Sequence, residues 1–251
     1  MKLFVIVLCL LSERYLVHTV SHNRFYWFSS YFIGISEKLR TTDTSLFSQA
    51  LILLAVVLPP IVLLWIIFYI FGPIVFGLVG LLLNFVIFYY CLGPENPFYP
   101  VRAEDETQDN EGLVGNYFAK VNGQLFAVIF WYIVTGPLGI VFYRLVSLCR
   151  AHQSTTQLAQ DITDVMDWIP ARLTALLYLL VGNFQKGIHF FMQMFFSVPE
   201  KNDILLSNGG LLAARTNEND PVPIPYAESL VEHALVVYLV FLALFTLVSW
   251  L

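Results

Sequence analysis

A few charged residues lie within or beside apolar segments of this sequence, and they are its strongest candidates for chemistry. Glu13 and Arg14 close an apolar run near the N-terminus, and Asp164, Asp167 and Arg172 precede the uncharged run 173–185. A charge in a membrane segment is energetically costly unless it is paired or hydrated, so it usually marks a site. We therefore expect these five residues to bind a ligand or a partner, and we assign no catalytic residue. The alternative for Glu13 and Arg14 is a pair that snorkels to end a short helix.

Three aspartates recur at intervals of three residues, at Asp161, Asp164 and Asp167. On a helix this spacing places them on one side, within about 120° of arc. Like charges on one side repel each other, so the ordinary interpretation is a solvated face. The alternative is a ridge that binds a cation or a substrate.

The segment Asp167-Trp-Ile-Pro-Ala-Arg172 predicts a helix boundary. Pro170 should end one helix and begin another at its first turn. Arg172 would then lie at a helix N-terminus, where its charge opposes the helix dipole. We therefore expect it to have an acidic partner, such as Asp167 or Glu13, or an anionic ligand.

Metal and nucleotide chemistry lack support in the sequence. His18 and His22 are four residues apart but have no third ligand nearby, so we predict no metal site and no cofactor. The motifs GxxxxGK[ST], GxSxG and HExxH do not occur. The three cysteines lie in or beside apolar segments without metal-ligand spacing, which predicts buried thiols.

The composition is that of a membrane protein. Of 251 residues, 58% are hydrophobic and 12% are charged. This balance is far from that of a soluble domain and predicts an all-α, multi-pass protein whose surrounding partner is the lipid bilayer. The net charge of -5 argues against a nucleic-acid partner. We expect about four to five spans plus interfacial or re-entrant helices.

Hydropathy and turn residues divide this single membrane domain into segments. A retained first helix is expected at 1–18, because small residues that would form a cleavage site are missing after the apolar run. The uncharged stretch 45–92 predicts a helical hairpin, with spans at 46–71 and 74–92 around Gly72-Pro73 and a kink or break at Pro59-Pro60. The remaining predictions are an interfacial segment at 19–44, an acidic loop at 93–115, a third span within 120–148, amphipathic and re-entrant helices at 150–198, an irregular loop at 200–228 and a C-terminal span at 230–251.

Several blocks of residues resemble the AmpE family of bacterial inner-membrane proteins. They are Glu13-Arg14, Phe126-Ala-Val-Ile-Phe-Trp-Tyr132, Gly136-Pro137, Phe142-Tyr-Arg-Leu145, Asp167-Trp-Ile-Pro-Ala-Arg-Leu173 and Val181-Gly-Asn183. The resemblance implies a multi-pass protein of the inner (plasma) membrane that modulates β-lactamase induction in response to cell-wall muropeptides. It also implies AmpD, or another protein of the muropeptide pathway, as a partner. Glu13, Arg14, Asp167 and Arg172 would then form a polar cluster that binds the ligand or partner.

The block Ile169-Pro-Ala-Arg-Leu-Thr174 is also similar to the cobalamin-pathway membrane proteins CobD and CbiB. This second likeness implies an alternative function, a membrane enzyme or small-molecule binder in which Arg172 holds an anionic substrate. The sequence lacks the His-Pro pair and the Asn- and Asp-rich segment typical of those proteins. We therefore expect a non-enzymatic modulator.

Overall fold

The computed structural model describes residues 2–15, 24–39, 45–72, 77–93, 110–215 and 221–248. Within these ranges the regular structure is entirely helical, which confirms the predicted all-α class. The helices are α1 (Lys2–Tyr15), α2 (Tyr26–Leu39), α3 (Leu46–Phe71), α4 (Leu78–Cys91), α5 (Asn110–Val121), α6 (Ala127–Thr135), α7 (Pro137–Cys149), α8 (Thr156–Val181), α9 (Phe184–Met194), α10 (Asn202–Ala214) and α11 (Ile224–Val248). A π-helical segment, Asn122–Phe126, joins α5 to α6, and a short 3-10 turn, Pro199–Lys201, precedes α10.

In the part of the chain that the structure describes, three helical stretches are long and apolar enough to cross a membrane. They are Leu46–Phe71, Glu111–Thr135 and Ile224–Val248, and α4 and α7 are shorter apolar helices. This set is broadly consistent with the predicted four to five spans. The first span has the predicted bounds, and α3 continues through Pro59-Pro60 without a break. The second predicted span, 74–92, is described as the 14-residue α4, which is short for an independent crossing.

The predicted third span is two helices. Gly136 has a φ of +79°, so α6 ends at Thr135 and α7 begins with Pro137 at its first position. A left-handed glycine followed by proline is a natural break, because glycine tolerates this φ and proline is favoured in a first helical turn. The apolar stretch that includes α6 begins earlier in the chain than predicted, at Glu111.

Two predicted loops contain helices, and these predictions were wrong at those residues. The acidic loop 93–115 overlaps α5, which begins at Asn110 with Glu111 in its first turn, where a carboxylate favours the helix dipole. The loop 200–228 contains α10 and the start of α11. Gly209 and Gly210 lie within α10, and a Cβ on Gly210 would lie 2.5 Å from the Phe118 ring, so this glycine permits close helix packing.

The predicted helix break at Pro170 is also wrong. α8 runs without interruption from Thr156 to Val181 with Pro170 inside it. The turns after the proline are buried at Ala171, Arg172 and Thr174. Tertiary contacts of these residues stabilise the turn that lacks a proline N–H, so Arg172 lies inside a helix and not at a helix N-terminus.

The chain forms two compact units. The first comprises Met1–Pro94 and Val128–Met166, and the second comprises Glu95–Ala127 and Asp167–Leu251. In the first unit α1 packs on α4, and α3 packs on α2, α4 and α7. Phe28 and Phe32 of α2 belong to its apolar core with Ile52 and Val56 of α3. In the second unit α10 packs on α5, α9 and α11.

Candidate functional site

Glu13 forms a buried ion pair with Arg24 in the first unit. The two side chains are 1% and 3% exposed. Nη1 of Arg24 also donates to the backbone oxygens of Tyr89, at 3.0 Å, and Leu92, at 3.4 Å, at the end of α4. The guanidinium carbon lies 4.5 Å from the centre of the Tyr89 ring. Arg24 therefore neutralises both a buried carboxylate and the negative end of a helix dipole.

Arg144 binds the same end of α4, a role that the sequence did not predict. Its Nε donates to the Cys91 oxygen at 2.9 Å, and the residue is 3% exposed. The last turn of a helix has carbonyls without intrahelical partners, and two arginines occupy them here. Arg24 and Arg144 therefore connect α4 to the start of α2 and to α7. Arg14, predicted with Glu13, is half-buried on the same turn of α1.

Arg172 is the centre of a hydrogen-bond network in the second unit. Its Nε donates to the Phe195 oxygen at 3.0 Å, and its Nη1 donates to the Trp168 oxygen at 2.9 Å and to Oδ1 of Asn202. Its Nη2 donates to the Ser197 oxygen at 2.9 Å and to Ser197 Oγ at 3.1 Å. A guanidinium has five N–H donors, so each one has an acceptor on the chain itself.

The network of Arg172 ties three elements together. Phe195 and Ser197 follow α9, whose C-terminal carbonyls carry partial negative charge, and Asn202 begins α10. The Trp168 ring lies 4.3 Å below the guanidinium and donates its own Nε1 to the Ser197 oxygen. Arg172 therefore positions α9 and α10 relative to α8. Arg172 therefore acts as a positioning residue. Its network uses the guanidinium N–H donors that an anionic ligand would need.

The predicted site aspartates, Asp164 and Asp167, belong to different units. Asp164 belongs to the first unit, is half-buried and accepts a hydrogen bond from Nε2 of Gln160 at 2.8 Å. Asp167 belongs to the second unit with Arg172 and is also half-buried, whereas Asp161 is exposed. The structure thus pairs Glu13 with Arg24, and it joins Arg172 to backbone oxygens, Ser197 and Asn202. The anion-binding role of Arg172 stays a prediction.

A polar cleft lies between α5 and α10 in the second unit. Its volume is about 440 Å³. The lining residues are Glu111, Gly112, Gly115, Asn116, Ala119, Asp203, Ile204, Ser207, Asn208 and Leu211. Glu111 forms an ion pair with Arg215 at 2.6 Å, whereas Asn116, Asp203 and Asn208 are exposed. We refer to this recess as the α5/α10 cleft.

The composition of the α5/α10 cleft limits what it can bind. Carboxylates, carboxamides and a hydroxyl offer acceptors and donors for hydroxyl, amide or ammonium groups. Asp203 adds negative charge, so an isolated anion would be repelled. Sequence reasoning missed the cleft because it interpreted both flanking segments as loops. The periodic set Asp203, Ser207 and Leu211, four residues apart, was the available signal of a helix face.

A buried polar contact involves Asn122, which follows α5 directly in the sequence. Thr174 Oγ1 donates to Oδ1 of Asn122 at 2.9 Å, and both residues are buried. Asn122 begins the π-helical segment that follows α5. Single-turn π segments are frequent near functional sites, because they redirect the helix that contains them.

His152 stacks on Phe32 in the first unit. The ring centroids are 3.9 Å apart and the ring planes differ by 8°. Burial lowers the pKa of His152 below its usual 6.5, because desolvation disfavours the charged imidazolium. As regards metals, the described residues contain no group of three His, Cys, Asp or Glu side chains that could hold an ion. All three cysteines are free and buried.

Comparison with known proteins agrees with the membrane regulatory interpretation. Residues 98–251 match the family model described as regulatory signalling modulator protein AmpE. No solved structure matches the chain.

Curated relatives come from cobalamin biosynthesis. The protein CobD of Chromobacterium violaceum is 39% identical over 94 residues, which are 34% of this chain and 30% of that protein. CobD of Stutzerimonas stutzeri is 33% identical over 92 residues, 32% and 30% of the two chains. A probable CobD of Pyrococcus furiosus is 27% identical over 95 residues, 35% and 33% of the two chains. The aligned part spans only about a third of each of these relatives. The family model, by contrast, covers more than half of this chain, and the chain therefore belongs to the AmpE family.

Proposed function

We propose that this membrane regulatory protein modulates β-lactamase induction in response to cell-wall muropeptides, from a multi-pass position in the bacterial inner membrane. The observation that carries the proposal is that the AmpE family match, residues 98–251, contains every residue of the α5/α10 cleft. The cleft is a polar recess in the matched region, and its volume of about 440 Å³ lies within the range of small-molecule sites.

The chemistry of the cleft fits fragments made of sugars and short peptides. Such molecules present hydroxyl, amide and ammonium groups, which are the complements of Asn116, Asp203 and Asn208. These side chains are exposed, so a ligand can reach them. We assign recognition to the cleft and a supporting role to Arg172.

Arg172 acts on the cleft through the start of α10. Its Nη1 holds Asn202, the residue before Asp203, and its other donors hold the segment that leads into α10. A shift at this point would move Asp203 relative to Asn116. The substitution of Arg172 therefore alters the cleft without removing a group that touches the ligand.

The π-helical segment provides a route from the cleft into the membrane part of the second unit. α5 carries one wall of the cleft and continues into Asn122, which is held by Thr174 on α8. We propose that ligand binding changes the balance between two arrangements of this segment, as regulation requires a bistable element.

The proposal is tested in a strain that lacks its own copy of this gene and carries plasmid-borne variants. Asn116→Ala removes the carboxamide from one wall of the cleft, and Asp203→Asn removes the negative charge from the other. We expect β-lactamase induction by a β-lactam to change by about tenfold, the effect of losing one or two hydrogen bonds to a ligand. Glu200→Gln with Gln193→Ala is the matched control, because both residues are exposed and outside the cleft. Equal induction by both double variants, at equal protein levels in the membrane, would refute the cleft assignment.

The proposed partner is AmpD or another protein of the muropeptide pathway. A photo-crosslinking residue at Asn208, at the exposed mouth of the cleft, should capture that partner in cells. The same residue placed at Glu200 should not. Crosslinks of equal intensity at both positions would argue against a partner bound at the cleft.

A second candidate is a CobD-like membrane enzyme or small-molecule binder that acts on an anionic substrate. The observation in its favour is the 39% identity to CobD of Chromobacterium violaceum over 94 residues. Arg172 would be its anion-binding group, although its donors are engaged within the chain. Complementation of a strain that lacks the corrinoid ligase separates the two candidates, because growth without added cobalamin requires the enzyme.

A further inference from the structure

In the second unit, α9 presents a polar row along one side. Gln185, His189 and Gln193 are exposed and follow one another at intervals of four residues over the length of the helix. The buried face of α9, formed by Gly187 and Phe191, lies about 180° away around the helix axis, at about 100° per residue. The polar row therefore faces away from the rest of the protein.

An apolar row lies between the polar row and the buried face. It consists of Phe184, Ile188 and Met192 of α9 and of Phe196, which follows the helix. Phe184 is 43% exposed, Met192 is 64% exposed and Phe196 is 84% exposed. Side chains four residues apart are neighbours on a helix surface, and an exposed patch of large apolar side chains marks a contact with a protein or a membrane.

The helix α9 is too short to cross a membrane. It has 11 residues, a length of about 16 Å, whereas the hydrocarbon core of a bilayer is about 30 Å thick. The carboxamide and imidazole groups of the polar row would lose their hydrogen bonds to water in hydrocarbon, which is costly. Such a helix fits the boundary between lipid and water, where it lies flat with its polar row towards water.

The apolar row is too small for a stable protein interface. It comprises four side chains, whereas a stable interface takes about 20–30 residues from each protein. The polar row stands directly beside it, so a larger partner would also bury His189 and Gln193, whose side chains bond to each other at 2.9 Å. Acyl chains, by contrast, can cover the apolar row alone and leave the polar row in water.

The surroundings of α9 in the second unit are those of a membrane protein. The unit contains α11, which can cross a membrane and whose residues Val236, Val240 and Leu244 are exposed. α10 packs on both α11 and α9, so α9 belongs to the same helix assembly. Just after α9, the Ser197 oxygen accepts a hydrogen bond from the Trp168 indole. Tryptophan is enriched at the headgroup level of a bilayer.

We propose that α9 is an interfacial helix that binds the surface of the lipid bilayer. The apolar row enters the acyl chains, and the polar row contacts headgroups and water. Because Arg172 holds the carbonyls of Phe195 and Ser197, this lipid contact also keeps the junction of α9 and α10 at the membrane surface. The contact is independent of whether the α5/α10 cleft binds a ligand.

The lipid contact is measured on the full chain in vesicles of phosphatidylethanolamine and phosphatidylglycerol. Phe184→Cys and Met192→Cys in the apolar row, and Gln185→Cys and Gln193→Cys in the polar row, each carry a spin label. The native cysteines are buried, so the label on the folded chain reports the introduced one. Collisions with oxygen, which concentrates in lipid, and with a water-soluble nickel complex give the depth of each label. We expect labels in the apolar row about 5–10 Å below the headgroup boundary and labels in the polar row in water.

Three results would overturn this placement of α9. Water-like collisions at both rows would put the helix in the aqueous phase. Lipid-like collisions at both rows would put it inside the hydrocarbon. Low collision rates with both reagents at the apolar row would show that protein, and not lipid, covers it.

Met192→Glu and Gln193→Glu form a matched pair on consecutive exposed residues. Each places a carboxylate near the C-terminal end of α9, so the unfavourable interaction with the helix dipole is similar in both. Met192→Glu should move the label of Phe184→Cys towards water by about 5 Å, because acyl chains do not solvate a carboxylate. Gln193→Glu should leave that label at its depth. An unmoved label in Met192→Glu, or equal shifts in the two variants, would contradict the lipid contact.

Discussion

The side chain of Arg172 donates a hydrogen bond to Oδ1 of Asn202, so a residue in the middle of α8 fixes the first residue of α10. The same guanidinium holds the carbonyls of Phe195 and Ser197, which follow α9. One buried cation therefore determines where three helices meet. Its counter-charges are mainly the partial charges of backbone carbonyls, which explains why an arginine inside a helix is tolerated.

Arg172→Lys should destabilise the second unit although it preserves the charge. An ammonium has three donors on a flexible stem and cannot reproduce five planar hydrogen bonds. We expect a loss of roughly 3 kcal/mol in the free energy of unfolding, because several charge-assisted bonds are lost and their acceptors stay buried. The measurement is thermal unfolding of the purified protein in detergent. Arg150→Lys is the matched control, since Arg150 bonds to Ser147 of its own helix, and a similar loss there would contradict the argument.

Glu13→Gln should destabilise the first unit more than the double variant Glu13→Gln with Arg24→Gln. The single change leaves the Arg24 guanidinium buried without its carboxylate, which typically destabilises by about 3–5 kcal/mol. When both charges are removed, no uncompensated charge stays buried, and its desolvation cost disappears. A double-mutant cycle on unfolding midpoints measures the coupling. Additive effects of the two substitutions would contradict a direct ion pair.

Much of the fold follows from hydropathy and turn residues. The bounds of α3 were predicted because the uncharged run between Thr44 and Gly72 is long enough to form one helix that crosses a bilayer. The break at Gly136-Pro137 was not predicted, although glycine followed by proline is a residue pair that favours one. Charge and glycine content misled the prediction at α5 and α10, because the two helices bury each other and this packing is not visible in either segment alone.

The candidate site was predicted only in part, for a physical reason. Sequence identifies which charges lie in apolar surroundings, so Glu13 and Arg172 were expected to have partners, and for Arg172 an acidic residue or an anionic ligand was expected. It does not reveal partners that are distant in sequence, such as Arg24 for Glu13 or the Ser197 carbonyl for Arg172. Two of these distant partners, the carbonyls of Phe195 and Ser197, are backbone oxygens, and a carbonyl has no signature in residue type.

Gly210→Ala should weaken the packing of α10 on α5, whereas the neighbouring Gly209→Ala should not. A Cβ at Gly210 would lie 2.5 Å from the Phe118 ring, but at Gly209 the nearest atom would be the Ala175 Cβ at 4.0 Å. Overpacking typically costs about 1–3 kcal/mol, and an alanine with enough room in a helix gains up to about 1 kcal/mol over glycine. Unfolding midpoints of the two variants should therefore move in opposite directions. Shifts of the same sign would show that the α5–α10 contact is not the determining interaction.

Acidification should destabilise the first unit through His152. Burial against Phe32 lowers the pKa of this imidazole below the 6.5 of the unfolded chain, so the unfolded state binds its proton first as the pH falls. The stabilising contribution is fully present above about pH 7.5 and is lost as the pH falls through 6.5 toward the folded-state pKa. Unfolding midpoints between pH 8 and pH 5.5 should decline for the wild type and decline less for His152→Gln, which does not titrate there. If the midpoint of His152→Gln declines as steeply as that of the wild type, the pH response does not originate in the stacked histidine.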